Sequence, residues 1–173
     1  MAAGLACGMR DLPTARTQTS AASASSQPLH DEWGPLAVAE CCVGGDFARN
    51  EGLLHISDRC VNLEVGSGRS LLLLWGSDTT TWDPEANAIH FQRRDGQGVE
   101  LRDGQSVIVG GSGEAFTDDP DASEGLPWHE WVERIDWVAE PDESCAVADG
   151  SWGVGNAEVT LDVEPGSRRV QSP

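Results

Sequence analysis

Cys60-Val61-Asn62-Leu63-Glu64-Val65, then Gly66-Ser67-Gly68, then Ser70-Leu71-Leu72-Leu73-Leu74-Trp75 is the stretch that decides the fold. In its first arm Val61, Leu63 and Val65 alternate with Asn62 and Glu64, the period of a strand with one buried and one wet face. The glycine pair supplies a tight turn, so the two arms read as a hairpin. The second arm does not alternate. It is apolar on both sides, which predicts a central strand covered on each face, as in a barrel or sandwich.

Working outward, Leu36 to Val43 is a first strand candidate, and Leu53 to Ile56 is a short strand or part of a loop. Beyond the hairpin, Thr79 to Asn87 reads as a loop and Ala88 to Arg93 alternates again. Asp95-Gly96 turns the chain into Val99-Glu100-Leu101, and Asp103-Gly104 turns it into Ser106 to Val109. Gly110-Gly111-Ser112-Gly113 reads as a break. Asn156 to Val163 closes the series, with Ala157, Val159, Leu161 and Val163 on one face. Only Trp128 to Val138 departs from this period, because Trp128, Trp131, Val132 and Ile135 recur at helical spacing after Leu126-Pro127. Short strands joined by glycine turns predict an all-β fold, a small partly open barrel with a β-sandwich as the alternative, carrying one short helix near 128–138.

The 173 residues fit one domain, expected over 33–164. Residues 1–32 are rich in Ala, Ser, Thr and Gln, too poor in apolar surface to offset the entropy of ordering, and read as an arm or linker. Residues 165–173 read as a polar tail.

With 29 acidic residues against 11 basic ones, the net charge is -18, every cation is Arg, and Lys and Tyr are absent. Nucleic acid is held mainly by cations that neutralise phosphates, so it is not an expected partner. The same field opposes an anionic membrane surface. A cation or a basic partner is compatible, although acidity serves solubility in its own right. No apolar run approaches the roughly 18 residues of a membrane span, so no transmembrane segment is expected. Gly4-Leu5-Ala6-Cys7 resembles the end of a bacterial lipoprotein signal, but Leu5 stands one place too close to Cys7 and the preceding apolar stretch is missing.

Cys7, Cys41, Cys42, Cys60 and Cys145 show no CxxC and no His at metal-ligand spacing, which argues against zinc. In an oxidising compartment Cys60 can bridge Cys145, with one of the adjacent pair joined to Cys7 or free. In the cytosol all five are thiols.

Cys60 at the start of a strand, Leu71-Leu72-Leu73-Leu74-Trp75, the two Asp-Gly turns, Val107-Ile108-Val109-Gly110-Gly111 and Cys145 together resemble small bacterial extracytoplasmic β domains, often lipoproteins. The resemblance spans about residues 58–146. It implies an OB-like barrel and an exported, extracytoplasmic location, with a cytoplasmic location as the alternative, and it implies no activity.

Three constellations bear on chemistry. Asp119, Asp121, Ser123 and Glu130 stand where an EF-hand-like loop would place oxygens for Ca²⁺, but Glu124 takes the position that needs Gly and Pro127 crowds the loop. A solvated acidic loop is the simpler reading. Trp128, His129 and Trp131 form the second: the indoles offer a stacking surface for a sugar or other flat ligand, and His129 beside Glu130 offers a general base. Neighbouring residues on a helix diverge, so packing Trp and wet His and Glu are the simpler reading here too. The third is the tryptophan set. Trp75, Trp82, Trp137 and Trp152 are core by default, or line a concave patch for a carbohydrate or peptide. No nucleophile is persuasive, because Ser112 lacks the GxSxG spacing and the chain has no Lys for a phosphate loop. No catalytic residue is assigned. The sequence therefore favours a non-enzymatic binding or structural domain with an unidentified protein or small-molecule partner, the alternative being a hydrolase that uses acidic residues and His129.

Overall fold

In the computed structural model, residues 32–40, 48–119 and 121–160 are described. Cys7, Cys41, Cys42, Leu161, Val163, the lipoprotein-like stretch and the 165–173 tail lie outside them, as does nearly all of the 1–32 arm.

The strands are β1 (Ala37–Ala39), β2 (Ala48–Ile56), β3 (Val61–Val65), β4 (Arg69–Gly76), β5 (Thr80–Asp83), β6 (Ala88–Gln92), β7 (Gly98–Arg102), β8 (Ser106–Ala115), β9 (Trp137–Ala139) and β10 (Gly150–Val159), and helix α1 spans Trp128–Glu133. Five of the strands close a barrel. β3 pairs antiparallel with β2 and β4, β8 pairs antiparallel with β2 and β10, and β10 returns parallel to β4. The order around the barrel, taking these five strands in chain sequence, is first, second, third, fifth, fourth and back to the first. That is the OB arrangement, and here it closes rather than staying partly open.

The hairpin behaves as its period requires. Val61, Leu63, Leu71, Leu73 and Trp75 belong to the barrel core, while Leu72 and Leu74 point the other way and are also buried. What covers that second face is the chain between β8 and β10. Leu126, Trp131, Cys145 and Ala148 from this excursion pack with Leu72, Leu74 and Cys60 in a second apolar cluster. Burying two leucines that would otherwise face water contributes on the order of 1.5–3 kcal/mol each. The outer layer is therefore part of the fold and not an appendage. β1 and β9 extend the same sheet beyond β4.

The other insertion, β5–β6–β7, is a three-stranded meander between β4 and β8. Ile89, Phe91 and Leu101 join the barrel core, and Phe91 meets Trp75 edge-on at 6.0 Å. One barrel end is closed in this way.

Five boundaries differ from the sequence reading. The short Leu53–Ile56 candidate is the end of the nine-residue β2. The 79–87 loop contains β5. The Gly110–Gly113 break lies inside β8, because Gly111 and Gly113 approach β10 so closely that a Cβ on either would strike the carbonyls of Gly153 and Ser151. The last strand starts at Gly150, not Asn156. The helix also stops at Glu133 and does not reach 138, since Trp137 and Ala139 pair with β1 and the Trp137 indole donates to the Val132 carbonyl at 2.8 Å.

A disulfide joins Cys60 to Cys145 across 85 residues and pins the excursion to the β2–β3 loop. Beside it Asp142 accepts a bond from the Ser144 amide at 2.9 Å and pairs with Arg59 at 3.3 Å. These bonds, those from Ser144 first, hold the Asp142 carboxyl below the ordinary aspartate range. No described helix is long and apolar enough to cross a membrane.

Constraint of so long a loop in the unfolded chain is worth about 4.5 kcal/mol on chain entropy. Reduction, or the Cys60→Ser/Cys145→Ser pair, is accordingly expected to lower the urea midpoint by that equivalent, and an unchanged midpoint would refute the pinning role. Asp142 gives a second expectation with a defined sign. A carboxyl with a depressed folded pKa contributes stability above its unfolded pKa and loses it as the pH falls through the folded value. The stability gap between wild type and Asp142→Ala, read from urea melts, should be full at neutral pH and vanish below the normal aspartate range.

Candidate binding site

The excursion that carries the predicted site residues is held by its own aromatics. Phe116, Trp128, Trp131 and Trp137 form a chain of ring contacts, with Trp131 central at 5.1–5.3 Å from the other three. Trp131 is buried and Trp128 half-buried. Their surfaces are spent on packing α1 against β4, and the stacking platform expected from Trp128 and Trp131 is mostly covered. His129 and Glu130 are exposed on the solvent side, and Glu130 pairs with Arg134 one turn on at 3.4 Å. It is not aimed at His129.

The acidic loop is likewise turned on itself. Asp119 accepts from the Asp121 amide at 3.0 Å, its own amide bonds the Thr117 hydroxyl, and Ser123 is exposed. Among the described residues no group of three or more His, Cys, Asp or Glu could hold a metal ion. Asp119, Asp121 and Glu130 thus form no such set.

What the structure does bring together lies at the barrel end opposite the meander. Trp152 of β10 points inward, and its indole runs along β8. A Cβ at Gly111 would lie 2.9 Å from the ring nitrogen, and one at Gly113 would lie 2.7 Å from Cε3. Two glycines two residues apart leave one face of β8 bare, and the flat ring lies in that space. The indole packs on the barrel core yet remains half exposed, and its Nε1 is buried with no described partner.

Beside the ring is a cleft of about 210 Å³ whose lining includes Asn50, Arg69, Leu71, Gly113 and Trp152. Asn50 stands on the same face of β2 as Leu54, and Arg69 on the same face of β4 as Leu71 and Leu73, so all three strands turn these side chains towards the barrel axis. Asp149 at the rim is already engaged, accepting the Ser70 amide at 2.8 Å. Among the described residues the Arg69 guanidinium has neither an ion pair nor a hydrogen bond, in a chain with a large excess of carboxylates.

Other depressions lie elsewhere on the described residues. A groove of about 220 Å³ runs between α1 and the barrel wall past Trp131, Arg134 and Ser151, and an open hollow of about 500 Å³ lies on the meander around Thr80, His90 and Gly98. His90 is 3.6 Å from Asp83 there, and His55 is 3.1 Å from Glu64 on the outer face of β2 and β3. Both pairs are cross-strand surface contacts.

The sequence did not single out Asn50, Arg69, Gly111 or Gly113. Their signal was present only in Gly111-Ser112-Gly113, where paired glycines inside a strand mark a close approach. No family model, curated protein or solved structure matches the chain.

Gly113→Val would drive a side chain into both the Ser151 carbonyl and the indole, so it should destabilise the fold by about 1–3 kcal/mol in urea unfolding. It should also shift Trp152 emission. A neutral substitution would mean that the indole does not rest on β8.

Proposed function

We propose that the chain is a non-enzymatic binding domain of an exported protein and that it holds a small polar ligand in the barrel mouth beside Trp152. One observation carries this reading: a half-exposed indole on a glycine bed, with an unpaired cation and an amide around the same cleft. Binding sites combine an apolar surface with a few fixed polar groups, and that combination recurs here at small scale. Support for export comes from the Cys60–Cys145 bridge, since such bonds persist in oxidising compartments, and from the likeness to extracytoplasmic lipoprotein-type β domains.

The face that OB barrels commonly offer to oligonucleotides and oligosaccharides is the second and third strands. In this chain the outward leucines of the third barrel strand are under Trp131 and the disulfide. That moves attention to the mouth. A hydrolase built on His129 needs Glu130 free to orient it, and Glu130 is paired with Arg134.

Thermal-shift screening of the disulfide-bonded protein against monosaccharides, amino acids, nucleotides and simple organic acids tests the reading. The expected result is at least one ligand whose stabilisation disappears in Arg69→Ala. If none stabilises the protein, or if stabilisation is indifferent to Arg69, the mouth is not the binding site.

A further inference from the structure

Resting on that reading, we infer that the barrel mouth selects a small monoanion in which one carboxylate is attached to a single ring. The argument starts from Arg69. It is one of only 11 cations among 173 residues, and its guanidinium has no described partner although carboxylates outnumber cations throughout the chain. Arg presents a planar fork that matches a carboxylate in two parallel bonds, and such charge-assisted bonds are about twice as strong as neutral ones.

The second element is the ring. Trp152 offers a flat apolar surface within the same cleft, which suits the C–H face of a sugar or the face of an aromatic ring. Asn50 adds an amide that can both donate and accept, the match for a ring hydroxyl. Space sets the size limit. The cleft of about 210 Å³ is below the range of about 300–1,000 Å³ of pockets that hold drug-sized ligands, so it accommodates one substituted ring and not a nucleotide or a peptide.

Charge narrows the class further. A dianionic phosphate would face one Arg against two carboxylate residues of the lining, Glu114 and Asp149, whereas a single carboxylate needs only the one fork. Sugar acids and hydroxylated aromatic acids share this chemistry, and the experiment separates them.

The test uses the ¹⁵N-labelled, disulfide-bonded protein, with the Trp152 indole N–H signal assigned by its loss in Trp152→Phe. D-Glucuronate, D-glucose, 4-hydroxybenzoate and 4-hydroxybenzyl alcohol are titrated separately. One of the two acids is expected to move the Trp152 signal saturably and to bind at least tenfold tighter than its neutral counterpart, which identifies the sugar or the aromatic source. Arg69→Ala should abolish that gap by weakening the acid at least tenfold more than its neutral counterpart. Because Arg69 is exposed and unpaired, the variant is expected to fold.

Acids that bind no tighter than their neutral counterparts, or a gap that survives Arg69→Ala, overturn the assignment. Should another compound from the thermal screen move the Trp152 signal when both acids fail, the carboxylate assignment falls and the mouth stands. If nothing moves that signal, both fall.

Discussion

Strand β4 is apolar on both faces, and the rest of the structure follows from covering each of them. Leu71, Leu73 and Trp75 require a barrel, since one further sheet layer must meet them from inside. Leu72 and Leu74 require a second cover, and no strand of the barrel can supply it because the barrel's other faces turn inward or to water. The chain between β8 and β10 therefore crosses back over β4 and brings Leu126 and Trp131 onto these two side chains. A short helix of six residues would not persist alone. Its ring contacts and the Cys60–Cys145 link hold it in place, so local structure here is a consequence of tertiary burial.

The two ends of the barrel are closed by different means. At the meander end, Ile89, Phe91 and Leu101 fill the opening with apolar bulk. At the other end no comparable insertion exists among the described residues, and one indole lies across bare glycine backbone. Gly111 and Gly113 serve two contacts at once, strand β10 on one side and the Trp152 ring on the other. An aromatic ring can bury 150–250 Å² by itself, which explains how one side chain replaces several. The consequence is an interface that is less complete than the core and carries an unpartnered indole N–H.

This contrast also explains what the sequence made legible. The β3–β4 hairpin, β6, β7 and the all-β class were readable because Val61, Leu63, Ile89, Phe91 and Leu101 alternate with polar residues and pack where their period places them. The first half of β2 and the second half of β8 were not readable. Ala48, Arg49, Asn50 and Glu51 show no apolar alternation, and Gly110 to Gly113 carry the signature of a turn. Both segments line the mouth, where the inward positions are an amide or bare backbone and the apolar filling comes from β10. Periodicity detects side chains that are buried beside one another, and Trp152 fills space that belongs to other strands. The helix was overextended for a related reason: Ile135 continues the 128–132 spacing in sequence, but Trp137 just beyond it is drawn into pairing with β1.

The acidic surface bears on the mouth as well. With a net charge of -18 the long-range field repels an approaching anion, yet at physiological ionic strength that field is screened over about 8 Å. Inside the cleft the nearest described charges then decide. Asp149 is committed to the Ser70 amide and Glu114 lies on the outward face of β8, while the Arg69 guanidinium on the inward face of β4 remains uncommitted among the described residues. A surface that is acidic overall and cationic at one point of the mouth penalises polyanions more than a single carboxylate, because each additional negative charge meets the global field without finding a second guanidinium. Such an arrangement discriminates by exclusion as much as by attraction. The same carboxylates that make nucleic acid an unsuitable partner thereby sharpen the choice among small anions at the mouth.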